Sequence, residues 1–213
     1  VGPKPMDALG TQYGNNGVPA ANQVYVKRAS TAHVFPTDFD STGNNACSST
    51  ASPYIANCGY DGAKAALSHF YGTLNARNNA PAAAHYIEFD QTTFTSNPGM
   101  AATGWLYVPA SCAAGSGGAA CKLHVALHGC LQSTAAVGDK FVKNTGYTRW
   151  ADTNNIVVLF PQAKVDNTSR PTAASGSLPN PNGCWDWVGW YGSSFAQRGG
   201  TQAAAIKAMV DHV

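Results

Sequence analysis

The residues with the strongest chemical content lie in Lys122-Leu123-His124-Val125-Ala126-Leu127-His128-Gly129-Cys130-Leu131-Gln132. Leu123, Val125, Ala126 and Leu127 run apolar into a His-Gly pair, the pattern of a buried strand ending in a tight loop. A backbone N–H turned out of such a loop can hold the oxyanion that forms when an acyl carbonyl is attacked. A second candidate is His33, between small residues and a Phe35-Pro36 turn, where a loop-borne general base would sit. A third is Gly183-Cys184-Trp185-Asp186-Trp187-Val188-Gly189-Trp190-Tyr191, whose packed aromatics read as a floor that accepts an apolar substrate. A base and an oxyanion site call for a nucleophile. No Ser has Gly two residues before and two after it, the spacing of a nucleophile elbow: Ser194 has Gly192 but Ala196, and Ser116 has Gly118 but Ala114.

These residues need a scaffold, and the periodicity supplies one. A short helix is expected from Met6 to about Gly14 and a β-rich strand over Asn22–Lys27. Ala63, Ala66, Leu67, Phe70, Tyr71 and Leu74 form one helical stripe with Asp61 as N-cap. Two strands, 86–91 and 103–109, pair antiparallel through the Asn97-Pro98-Gly99 turn. The strand 122–128, a helix around 138–154 weakened by Gly146, and the wholly apolar strand 156–161 make a parallel βαβ unit. Residues 163–183 read as irregular, and 199–213 as a helix presenting Ala203, Ile206, Val210 and Val213 on one face.

At 213 residues the chain accommodates one sizeable α/β core. Only 11% of residues are charged and the formal charge is +2 without a basic block, which argues against a nucleic-acid partner. No apolar run is long enough to span a membrane. Six cysteines stand at 47, 58, 112, 121, 130 and 184. They allow about 15 connectivities; the simplest joins Cys47 to Cys58 and Cys112 to Cys121, leaving Cys130 with Cys184. Scattered histidines and the absence of C-x-x-C leave no metal to expect. Disulfides imply a secreted, extracellular protein, and Asn167-Thr168-Ser169 is a glycosylation sequon.

A base that precedes the oxyanion loop, with no elbow between or after them, fits a circularly permuted α/β hydrolase whose nucleophile strand lies before Val1. At this point the sequence resembles a known family. His33-Val34-Phe35-Pro36-Thr37-Asp38-Phe39, the Cys47 to Cys58 loop with Ser52-Pro53-Tyr54-Ile55, and Tyr60-Asp61-Gly62-Ala63 resemble fungal extracellular poly(3-hydroxybutyrate) depolymerases of the single-domain type. So do Leu74-Asn75-Ala76-Arg77-Asn78, the 123–133 stretch, Trp150-Ala151-Asp152-Thr153-Asn154-Asn155 and Asn180-Pro181-Asn182-Gly183-Cys184-Trp185-Asp186-Trp187. The resemblance implies a circularly permuted α/β-hydrolase fold, with a mostly parallel central sheet flanked by helices and stapled by the three disulfides above. It implies a Ser-His-Asp triad that cleaves the esters of a water-insoluble polyester, with His33 as base, the Cys130 N–H as an oxyanion donor, and Trp187 beside the substrate crevice.

Trp185 and Trp190 join Trp187 through the aromatic-floor reading, and His128 and Gly129 through the loop reading. The nucleophile Ser and triad Asp are expected before Val1. Residues 1–213 thus read as one catalytic domain, incomplete at the N-terminus and at the C-terminus, inactive and poorly stable by itself. The protein would be a monomer acting on insoluble polyester. Two rivals are a secreted esterase for feruloyl or acetyl esters and a non-catalytic polymer-binding protein.

Overall fold

The computed structural model describes residues 3–28, 30–114, 120–173 and 176–213; Ser116 and Val1 lie outside them. In chain order the elements are helix α1 (Pro3–Asn15), strands β1 (Phe35–Thr37), β2 (Asn45–Ala46) and β3 (Ile55–Asn57), helix α2 (Gly62–Tyr71), strands β4 (Tyr86–Asp90), β5 (Thr103–Tyr107) and β6 (Lys122–Val125), helices α3 (Thr134–Val137), α4 (Lys140–Asn144) and α5 (Tyr147–Ala151), strands β7 (Ile156–Phe160), β8 (Asp166–Pro171) and β9 (Ser177–Asn180), and helix α6 (Thr201–His212).

The main sheet has the order β4-β5-β7-β6. All five residues of β7 are buried, as its unbroken apolar run requires. Ile156, Val158 and Phe160 pack with Tyr107, Phe141 and Trp150, whereas Leu159 packs with Met100 and Met209 on the opposite face. The crossover through α3, α4 and α5 lays β6 parallel to β7, with His124 opposite Val158. Strand β5 runs antiparallel to both β4 and β7. The α/β architecture is therefore as expected, but this sheet is mixed rather than mostly parallel, because only the β6–β7 connection carries a helical crossover. The separate β1-β3-β2 sheet is wholly parallel, and its short strands carry no periodic signal.

The Asp61 carboxylate accepts the Lys64 N–H at 2.8 Å and caps α2, which ends at Gly72 in a positive-φ conformation. The helix expected over 138–154 is instead three short helices, divided where Gly138 and Gly146 take φ of 64° and 93°. Asn22–Lys27 is not a strand: Val24 and Val26 are exposed and the segment pairs with no sheet among the described residues. Residues 163–183 are not irregular, for β8 and β9 form a hairpin. The Asp166 carboxylate holds β8 by accepting Arg170 Nε at 2.7 Å and the Thr168 N–H at 3.1 Å. Helix α6 buries Gln202, Ala205 and Met209, a face rotated from the one expected.

All three expected disulfides form, with Cα–Cα distances of 5.1 Å for Cys47–Cys58, 5.9 Å for Cys112–Cys121 and 4.3 Å for Cys130–Cys184.

Candidate active site

A cleft of about 420 Å³ opens where the β1 approach meets the end of β6. One wall is the His33–Pro36 segment with Tyr54, and the other comprises Leu127, Gly129, Gln132 and Phe141. Residues 33 and 129, nearly a hundred positions apart, thus line one cavity. The His33 segment is tied down through its backbone. The His33 N–H donates to Thr50 Oγ1 at 3.1 Å, and the Ala32 N–H to the Cys47 carbonyl at 2.8 Å. The Cys47–Cys58 disulfide holds that second segment beside β3. His33 itself is exposed.

The loop after β6 is built more tightly. Pairing with β7 continues for one bond beyond the strand, Ala126 N–H to Leu159 O at 2.9 Å, before the chain turns. His128 is 2% exposed. Its Nε2 accepts the Ala163 N–H at 3.0 Å, so that nitrogen carries no proton and the neutral ring donates from Nδ1 to the Gly129 carbonyl at 2.7 Å. Burial pushes the imidazole below the ordinary histidine range, against a smaller upward pull from the Gly129 carbonyl. With both ring nitrogens taken, the side chain expected against substrate sits behind the loop and fixes its shape.

The Gly129 N–H donates to Gln132 Oε1 at 3.0 Å and the Leu131 N–H to the Asn182 carbonyl at 2.8 Å. The Gln132 N–H closes a turn on the Gly129 carbonyl at 3.1 Å. Among the described residues the Cys130 N–H has no acceptor, and Cys130 is exposed. Leu131 takes φ of 62°, a strained conformation for a branched side chain that the surrounding bonds and the Cys130–Cys184 bridge impose.

The bridge fastens the aromatic segment beside this loop. Trp185 Nε1 donates to the His128 carbonyl at 2.8 Å, and the two rings lie 5.2 Å apart. The Asp186 carboxylate organises the chain beyond it by accepting four backbone N–H groups, those of Val188, Gly189, Trp190 and Tyr191. The three tryptophans read together from the sequence therefore separate. Trp187 is 68% exposed, Trp185 is half-buried, and Trp190 is buried with Cys184 and Val188. Asn167 is exposed on β8.

A larger groove of about 1040 Å³ lies beside the cleft, between α1, residues 18–28 and α2, and shares Thr31 and Pro36 with it. Its lining is largely apolar, including Leu9, Tyr13, Val24 and Phe70, and also takes in His69. Among the described residues no cluster of His, Cys, Asp or Glu could hold a metal ion.

What the sequence reading missed is Gln132. Its Nε2 donates to the Pro53 and Tyr54 carbonyls at 3.0 and 3.2 Å, across nearly eighty residues. No local pattern announces a contact of that span.

The mixed sheet, its βαβ crossover, the flanking helices and the three disulfides fit the circularly permuted α/β-hydrolase fold. No protein-family model matches the chain. It is 52% identical over 213 residues to a polyhydroxybutyrate depolymerase of Talaromyces funiculosus, covering all of this chain and 62% of that protein. It is 53% identical over 209 residues to a poly(3-hydroxybutyrate) depolymerase of Delftia acidovorans, covering 98% of this chain and 39% of that one. The crystal structure of PHB depolymerase from Penicillium funiculosum superposes with a TM-score of 0.93 at 51% identity, over 100% of this chain and 66% of that chain. A PHB depolymerase complexed with an R3HB trimer gives a TM-score of 0.91 at 51% identity, over 98% of this chain and 64% of that one. Over essentially its whole length the chain is similar to polyhydroxybutyrate depolymerases, and it spans about three fifths or less of the length of these curated relatives.

Proposed function

We propose that the protein is an extracellular serine esterase that hydrolyses the ester bonds of poly(3-hydroxybutyrate) and its oligomers. The observation that carries the reading is the shared cleft: His33 lines the same cavity as Gly129, next to the one N–H of residues 129–132 without an acceptor among the described residues. In this mechanism His33 takes the proton of a serine hydroxyl as that oxygen attacks the ester carbonyl. The carbonyl oxygen, now negative, is held by the Cys130 N–H. His33 then returns the proton to the leaving alkoxide, and water repeats the cycle on the acyl-enzyme. No serine lines the cleft among the described residues; the proposal places the nucleophile and its partner Asp in the part of such relatives that this chain does not span.

Gly129 and Leu127 would border the scissile ester, and Trp187, exposed beside the stapled loop, would meet the polymer. His128, Trp185 and Trp190 serve this site from behind. Three disulfides support an oxidising, extracellular setting. Among the described residues no helix is long and apolar enough to cross a membrane. The working unit in this reading is a monomer, with no cofactor.

The test is hydrolysis of a soluble 3-hydroxybutyrate trimer by the protein at its natural length, alongside His33→Ala. Loss of turnover on the order of 10⁴-fold or more is expected for the variant. Equal rates would remove His33 from the mechanism, and a parent that leaves the trimer intact would refute the esterase reading.

A further inference from the structure

We propose that Gln132 is a positioning residue of this site: it sets the plane of the Gly129–Cys130 peptide and thereby aims the Cys130 N–H. The inference rests on the esterase reading above. A trans peptide is planar, with its C=O and N–H directed oppositely. Whatever holds the Gly129 carbonyl therefore orients the Cys130 N–H. That carbonyl accepts from two donors, the Gln132 N–H at 3.1 Å and His128 Nδ1 at 2.7 Å. Gln132 also takes the other polar group of the same residue, since its Oε1 accepts the Gly129 N–H at 3.0 Å. Both sides of Gly129 are thus gripped by one residue.

The far end of the same side chain anchors this grip to the opposite wall. Its Nε2 donates to the carbonyls of Pro53 and Tyr54, and Tyr54 lines the cleft with His33. Gln132 is buried, so neither amide atom can exchange its partners for water at no cost. The fit explains the glycine as well: a Cβ on Gly129 would come within 2.7 Å of Gln132 Oε1, an atom that its other bonds hold in place. An amide is the side chain that satisfies an N–H and two carbonyls together, because it offers an acceptor and two donors.

Two variants at natural length test this on the soluble trimer. Gln132→Met keeps the length and the backbone N–H bond to the Gly129 carbonyl but loses all three side-chain hydrogen bonds, and its kcat is expected to fall on the order of 10²-fold with KM little changed. Gln132→Glu keeps the acceptor for the Gly129 N–H but turns a carboxylate toward two carbonyls. Protonated, the same group donates as well as accepts, so the ratio of its kcat to the parent's is expected to rise as pH falls. A purely structural role would lower the melting temperature and leave kcat per folded molecule alone, and that outcome overturns the proposal. So does a kcat ratio for Gln132→Glu that is flat in pH, which decides the matter even if Gln132→Met fails to fold. An active parent with unaffected variants removes Gln132 alone; an inert parent removes the esterase reading and this one with it.

Discussion

The three disulfides close loops of very different length, and that difference predicts how unequally they stabilise the fold. Cys130–Cys184 spans 54 residues, against 11 for Cys47–Cys58 and 9 for Cys112–Cys121. If a cross-link acts by restricting the unfolded chain, the long bridge contributes about 4 kcal/mol and each short one about 2.6–2.8 kcal/mol at 25 °C. Paired Cys→Ala replacement of each bridge, followed by urea unfolding, measures the three values directly. The Cys130/Cys184 pair should lower stability by about 1.4 kcal/mol more than either other pair, which for a chain of this size is a further fall in melting temperature of about 3–6 °C. The bridge also carries local structure, since Trp185 bonds the His128 carbonyl from the residue after Cys184. Loss of that bond would widen the gap and cannot narrow it. A long-loop pair that costs no more than the short-loop pairs would refute the loop-entropy reasoning, and would mean that the 130–184 region stays associated in the unfolded chain.

Stability should also fall as the solution is acidified through the histidine range. Burial holds His124 and His128 below their ordinary value, so below about pH 6.5 the unfolded chain takes up protons that the folded one resists. Urea midpoints should be level above that pH and decline below it, with a shallower decline in His128→Gln; level midpoints throughout would show that these rings protonate without resistance. Gly104→Ala on β5 should destabilise by about 1–3 kcal/mol, because the added Cβ would lie 2.6 Å from Gln91 Oε1 and 2.9 Å from Phe89 Cζ. That oxygen is already bonded to the Gln162 N–H, and an unchanged urea midpoint would show that the Gln91–Gln162 arrangement can move. Trp187→Ala should leave the melting temperature within about 1 °C of the parent, as expected for an exposed side chain, while weakening adsorption to polyester film; unchanged adsorption would place the polymer contact elsewhere.

Much of this protein is decided by local pattern. The apolar run Ile156–Phe160 can only be a strand buried on both faces, and it is. Asp61 ahead of an apolar stripe caps α2 as its side chain dictates. Alternation and a turn paired β4 with β5, and cysteine spacing anticipated the three bridges. In each case the driving interaction lies within a few residues, or in a covalent bond with few partners to choose from.

Tertiary structure decided the remainder, because the interactions there join distant segments. Val24 and Val26 have strand propensity but no neighbouring edge, and remain exposed. The polar β8 became a strand only because β9 and the Asp166–Arg170 pair hold it. The aromatic segment divided into one exposed and two sheltered tryptophans through the four N–H bonds to Asp186, which composition cannot foresee. His128 has the residue type of a ligand or base, yet its ring is spent on Ala163 and Gly129. Gln132 has no recognisable chemistry in the sequence and became the link between the two walls of the cleft. Residue types and spacing therefore determined which groups could do chemistry, and long-range packing determined which of them face the cleft, because a side chain's direction is set by partners that lie dozens of residues away.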